Sequence, residues 1–133
     1  MFQGLAPLPF PGSTGDWYAS YAHFPSIPRV LSDSGYQREV LSTFPGSLLD
    51  YTSYLRTIGF KVVSGRDEVP EFRKAPRITF DSPSDEVLYR VSQRRIKELQ
   101  GQQDPYFLAL FSASSHLPWK DPPRRKRDVQ ANV

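Results

Sequence analysis

Pro105-Tyr-Phe-Leu-Ala-Leu-Phe-Ser-Ala-Ser-Ser-His116-Leu-Pro-Trp119 decides how this chain is read. A short apolar run breaks into small hydroxyl residues, then a histidine and a proline turn. An apolar run of this length, without polar alternation, predicts a strand over 106–112 buried on both faces, as in a parallel sheet. In open α/β sheets ligands bind beyond the carboxyl ends of the strands. His116 falls at such an end, which makes it the leading candidate for contact with a substrate.

Outward from this strand, helices and strands alternate. Ser82 to Leu99 predicts the strongest helix. Ser82 suits its N-cap and Pro83 its first position, Asp85 and Glu86 face the dipole's positive end, and Arg94, Arg95 and Lys97 lie toward the other end. Leu88, Val91, Ile96 and Leu99 form its apolar stripe, and Gly101 closes it. Pro25 to Ser34 predicts a short helix capped by Ser26 and ended by Gly35. Glu39 to Phe44 predicts a strand, with a turn at Pro45-Gly46. Ser47 to Ile58 predicts a helix whose Leu48, Tyr51, Leu55 and Ile58 share a face, stopped by Gly59. Phe60 to Val63 reads as a short strand, and 64–81 as a charged surface loop. Strands alternating with helices predict an α/β layer, a mostly parallel sheet flanked by helices.

The 133 residues suit a single domain. The 13 prolines crowd the two ends, so residues 1–23 are expected to be irregular. Net charge is only +3, and much of the excess sits in Arg124, Arg125, Lys126 and Arg127. That is a basic tail over 124–133, expected to be solvated and disordered, and not the basic face that nucleic-acid binding needs. No nucleic-acid partner is therefore expected. The chain has no cysteine, which rules out disulfides, thiolate metal sites and a cysteine nucleophile within it. No apolar run approaches the roughly 18 residues of a membrane span, and the N-terminal stretch lacks the pattern of a secretory signal.

Several segments in order resemble the sulfatase-type, alkaline-phosphatase-like superfamily. Pro105-Tyr-Phe-Leu-Ala-Leu110 followed by Ser115-His-Leu-Pro118 is similar to that family's strand and His-x-Pro turn. Pro25 to Tyr36 resembles the helix placed before a strand, with Gln37-Arg38 here where a threonine is usual. Leu55-Arg-Thr-Ile-Gly-Phe60, Asp85-Glu-Val-Leu88 and Gln3-Gly-Leu-Ala-Pro-Leu-Pro9 match further landmarks. Order and spacing are most similar to the lipoteichoic-acid-synthase-like branch. The resemblance implies a partial sulfatase-like domain over 1–123, a fragment of an alkaline-phosphatase-like core.

By that resemblance the complete enzyme hydrolyses or transfers a sulfate or phosphate ester, as a sulfuric ester hydrolase or a phosphoglycerol transferase does. It would use a divalent metal: Mn, Mg, Ca or Zn. His116 would contact the ester. Apart from the resemblance, Trp119 and Lys120 are candidates for lining a substrate mouth because loops carry function, against the plainer readings of a turn-packing tryptophan and a solvated lysine. The resemblance also favours a membrane-anchored or extracytoplasmic enzyme. The family's nucleophile and metal-binding acids have no counterparts in this chain. Ser26-Ile-Pro-Arg-Val30 begins like the sulfatase signature but has Val30 where arginine is required, and Leu49 and Tyr51 stand where a tryptophan and an arginine would contact a phosphoglycerol head group. No catalytic residue and no bound metal are therefore expected in this chain alone, which is expected to be inert.

The residues also admit plainer roles. Adjacent residues in an extended segment point to opposite sides, so His116 is poorly placed to activate Ser115. His23 beside Trp17, Tyr18 and Tyr21 reads as local packing. Asp81, Asp85 and Glu86 read as helix-start charges. The alternative to an enzyme fragment is a non-enzymatic α/β binding or interaction module.

Overall fold

The computed structural model describes residues 23–114. Three strands form one sheet: β1 (Gln37–Ser42), β2 (Val62–Ser64) and β3 (Tyr106–Phe111), in the order β2-β1-β3. Both pairings are parallel. Gln37 lies opposite Tyr106 and Ser42 opposite Phe111, while Glu39 to Leu41 pair with Val62 to Ser64. The α/β reading holds, with the apolar run of β3 beside the central strand β1.

Helices cover both faces. On one side lie α1 (Ile27–Asp33) and α2 (Tyr51–Thr57), the latter entered through a 3-10 turn at Leu48–Asp50. There Val40, Leu55, Ile58, Phe60 and Val63 are buried together, with Phe107 and Phe111 packed against them. On the other side lie α3 (Pro70–Lys74) and α4 (Asp85–Gln100). There the core is Leu41, Val69, Phe72, Leu88 and Val91, joined by Leu108. The alternation of Val40 and Leu41 to opposite faces is the strand period of two, and each face meets its own helix pair.

Local chemistry explains most boundaries. Ser26 caps α1, accepting Arg29 N–H at 3.3 Å, and its hydroxyl also donates to the Ile58 carbonyl. Past α1, Gly35 N–H and Tyr36 N–H close on the Ser32 and Leu31 carbonyls. Asp50 breaks the predicted 47–58 helix by adopting a left-handed conformation, a state that Asp tolerates better than most residues. The Asp50 carboxylate then accepts the Ser53 hydroxyl at 2.6 Å.

Three expectations are corrected. The 64–81 segment is not all loop: α3 lies inside it and buries Phe72 completely. The last helix starts at Asp85 with Ser84 in the cap position, and not at Ser82. Ser82 is committed elsewhere, its N–H to Thr79 and its carbonyl to Ile78, whereas the Ser84 carbonyl accepts the first helical N–H groups. β3 is not buried on both faces. It borders the sheet among the described residues, so its side chains are half-buried and Leu110 is exposed, while β1 in the centre is the buried strand.

Candidate functional site at the carboxyl edge of the sheet

Because all three strands are parallel, their carboxyl ends share one edge. Thr43 to Gly46 leave β1 there, Gly65 and Arg66 leave β2, and Ser112 to Ser114 leave β3. Helix α4 brings its N-terminus to the same place.

The turn after β3 is fastened to that helix. One Asp85 carboxylate oxygen, Oδ1, accepts both the Ala113 and the Ser114 backbone N–H, each at 3.1 Å. Ser114 Oγ in return accepts the Asp85 N–H at 3.1 Å. Ala113 is fully buried. Hydrogen bonds to a carboxylate are stronger than neutral ones, so three bonds fix this short turn. His116 is attached two residues further on.

Next to it, Thr43 N–H donates to the Phe111 carbonyl at 3.4 Å. The Thr43 hydroxyl is fully buried and has no hydrogen-bond partner. Ser42 Oγ accepts Phe44 N–H at 3.2 Å, turning the chain out of β1.

The third part of the edge carries charge, but the charge is matched. Arg66 bonds Asp67 at 2.8 Å and also pairs with Asp81, which Arg77 approaches at 3.5 Å. Phe80 and Asp81 both have positive φ, in a turn closed by the Thr79–Ser82 bridge. Phe80 packs on Phe44 with ring centroids 6.3 Å apart. A side chain at Gly65 would bring its Cβ within 2.9 Å of the Phe44 carbonyl, so the β1 and β2 exits meet only because this residue is glycine.

Away from the edge, a cavity of about 240 Å³ opens between β2, α3 and α4. Its charged lining is engaged internally. Glu39 binds Arg95, Glu71 binds Arg94, and Glu68 accepts the Gly65 N–H. Arg94 holds the Glu71 carboxyl below its ordinary range, and Glu39 with Glu98 raises the Arg95 guanidinium above its own. This cavity belongs to helix packing.

His116, Trp119 and Lys120 lie outside the described residues, as do His23's neighbours Trp17, Tyr18 and Tyr21, the loop at 3–9 and the 124–133 tail. Asp85 is the site residue that sequence reasoning undervalued. Its place at the helix start was legible, but its two backbone partners lie 28 and 29 residues away. Among the described residues no group of three His, Cys, Asp or Glu side chains could hold a metal ion. These residues therefore do not fit the divalent ion the family resemblance implies.

The sulfatase family model matches residues 1–132. The chain belongs to the sulfatase family. Two solved structures share its fold. The lipoteichoic acid synthase LtaP from Listeria monocytogenes is 26% identical with a TM-score of 0.66, over 79% of this chain and 25% of that one. An alkaline phosphatase superfamily protein from Vibrio parahaemolyticus is 20% identical with a TM-score of 0.68, over 86% of this chain and 28% of that one. The chain thus spans about a quarter of the length of either structure, and its three-stranded sheet with helices is an alkaline-phosphatase-like α/β arrangement. None of the curated proteins matches it. No helix among the described residues is long and apolar enough to cross a membrane.

Proposed function

We propose that this sulfatase-family chain supplies one wall of an ester-binding site in an enzyme that cleaves or transfers a sulfate or phosphate ester. His116 is the contacting residue, donating a hydrogen bond to an ester oxygen and steadying the charge that grows there as the sulfur–oxygen or phosphorus–oxygen bond breaks. An imidazole can do this near neutral pH. Trp119 and Lys120 flank the same substrate. The observation that carries this reading is the parallel pairing of β1 with β3, which brings the 112–114 turn to the carboxyl edge where ligands of such sheets bind. The likeness to a lipoteichoic acid synthase supports keeping phosphate esters beside sulfate esters. The family resemblance finds no counterpart of its nucleophile and metal-binding acids in this chain, and on that ground the chain alone is expected to be inert.

Two measurements test this. The purified 133-residue chain is assayed with an aryl sulfate and an aryl phosphodiester in the presence of Mn, Mg, Ca or Zn. No turnover is expected; turnover lost in His116→Ala would overturn the inertness. Histidine-ring NMR is then followed while methyl sulfate or glycerol phosphate is added. The His116 ring signals should move with one of the two anions, and a ring silent to both sinks the proposed contact.

A further inference from the structure

We propose that Phe80 is a specificity-determining residue, a platform at the carboxyl edge on which a flat ring in the organic part of the ester substrate rests. The inference rests on the reading of this edge as the ester site and adds what recognises the rest of the molecule. It starts from a backbone conformation that a phenylalanine does not favour.

Phe80 and Asp81 have φ of 47 and 54 and form the centre of the turn between Thr79 and Ser82. Two successive left-handed residues make the mirror-image hairpin turn, whose usual occupants are Asn-Gly and Asp-Gly. A bulky residue in that place is an outlier and carries strain. Such strain persists only where the surroundings over-determine it, and here they do. Thr79 and Ser82 are buried, Ser82 N–H donates to the Thr79 carbonyl at 2.8 Å, and Ile78 N–H donates to the Ser82 carbonyl at 2.9 Å. Ser82 Oγ donates to the Phe80 carbonyl at 3.2 Å. Asp81 is paired with Arg66, Arg66 N–H donates to the Phe44 carbonyl at 3.1 Å, and the Phe44 ring meets the Phe80 ring. Phe80 therefore closes a circuit of contacts that ties the turn to the exits of β1 and β2.

The ring held in this way remains 42% exposed. Burial does not account for the strain, since Phe72 is fully buried from an ordinary helix. Tyr89 supplies the contrast. It is 52% exposed, but it stands on a regular turn of α4, and a single surface aromatic on unstrained backbone needs no explanation. A strained backbone that presents an aromatic ring at a ligand-binding edge does need one, because strain of this kind gathers at sites that clamp ligands.

The neighbouring charges define what the ring holds. Arg66 and Arg77 face Asp67 and Asp81, two cations against two carboxylates, so this part of the edge has no net charge to offer a sulfate or phosphate. It offers an aromatic face beside the exposed Asp81 carboxylate. An apolar surface with a few polar groups around it fits the organic part of the substrate, and a flat aryl or sugar ring matches a flat aromatic face.

The experiment uses the full chain and the variants Phe80→Asn, Phe80→Leu, Phe80→Tyr and Tyr89→Ala. The probes are methyl sulfate, phenyl sulfate, a glucose sulfate and benzyl alcohol. Phenylalanine-ring NMR reads binding, and thermal unfolding reads stability. At least one of the two ring sulfates should bind about tenfold more tightly than methyl sulfate and move the Phe80 ring signals; which one does so separates an aryl from a sugar ligand. Phe80→Asn and Phe80→Leu should lose that tenfold, Phe80→Tyr should keep it, and Tyr89→Ala should leave it unchanged. Asparagine also tolerates the left-handed turn, so Phe80→Asn should melt at or above the temperature of the parent. The inference is overturned if the ring adds no affinity, if Phe80→Leu binds as the parent does, or if Phe80→Asn melts lower by about 5 °C or more, since the ring would then be holding the fold. Benzyl alcohol separates this claim from the one beneath it. If benzyl alcohol moves the Phe80 ring and methyl sulfate binds nowhere, the ester reading fails and the ring platform stands. If methyl sulfate binds and no ring compound moves Phe80, the ester reading stands and the platform fails.

Discussion

Arg95 on α4 grips Glu39 on the central strand through two bonds, Nη2 to Oε1 at 2.6 Å and Nε to Oε2 at 2.8 Å. Glu39 is only 5% exposed, so a carboxylate sits inside the sheet layer and is held there by a helix. Removing one partner of a buried pair leaves the other charge uncompensated, which costs about 3–5 kcal/mol when both are buried. The Arg95 side chain is 31% exposed, which lowers the figure. Arg95→Met is expected to cost about 2 kcal/mol in urea unfolding. Replacing both residues with Met should restore most of that loss. Equal instability of the single and double variants would show that the pair is not what matters.

Phe72 is the fully buried centre of α3. Phe72→Ala should destabilise the chain by about 3–5 kcal/mol, since the cavity adds to the lost transfer energy. A change under about 1 kcal/mol in the same unfolding experiment would mean that α3 is not docked on Leu88 and Val91.

Gly59 lies at φ 108, and a Cβ there would stand 2.8 Å from Arg29 Cγ and 3.1 Å from the Arg29 backbone nitrogen. Gly59→Ala should therefore cost more than the roughly 1 kcal/mol that such a backbone conformation demands of an L-residue. Thermal unfolding measures it. Gly35→Ala is the comparison, because nothing lies within 4 Å of its added carbon, and it should cost less.

Glu71 gives a pH dependence with a definite sign. The Arg94 hydrogen bond lowers its folded value below the ordinary 4.5. A lowered carboxylate stabilises the fold above its unfolded value and loses that contribution as pH falls through the folded one. The stability gap between the parent and Glu71→Gln should thus be constant near neutrality and shrink below about pH 4.5. The group is largely solvated, so the gap should also narrow with added salt. A gap that widens on acidification refutes the pair.

Ser26 closes two elements at once, capping α1 and donating to the Ile58 carbonyl at the end of α2. Ser26→Ala should cost about 1–2 kcal/mol, more than an isolated cap. Ser26→Thr keeps both bonds and should recover part of it.

What could be read from the sequence was what local chemistry determines. The apolar run at 106–111 marked β3, because a strand in a parallel sheet needs no polar alternation, and the expected strand at Glu39 to Phe44 overlaps β1 (Gln37–Ser42) with a shift of two residues. Ser26 and Gly35 marked α1 through side-chain and backbone bonds within a few residues. α3 was missed because five residues cannot display a helical period, and Val69 and Phe72 alone look like loop hydrophobics. Ser82 was mistaken for a cap because its identity suits one, while its backbone was already bonded to Thr79 and Ile78. The edge position of β3 depends on strand order, which no local pattern encodes. For the site, the residue types around the strand exit were visible, but the Asp85 contact joins segments distant in sequence. His116, Trp119 and Lys120 fall outside the described residues.

The sheet register has a consequence for how this chain is made. The short β2 pairs with β1 soon after both exist, but the long pairing of β1 is with β3, and Gln37 must meet Tyr106. Closing so wide a loop is the slow step of such topologies. Among the described strands, β1 leaves the ribosome first and meets the three-residue β2 next, and it waits until about 60 residues beyond its own end have followed before β3 appears. Helix α4 emerges just before β3 and already carries Leu88, Val91 and Asp85. It can thus cover one face of β1 first and then receive β3 and its turn, so that the last of the described strands completes the β1–β3 ladder and the turn's three hydrogen bonds to Asp85 together.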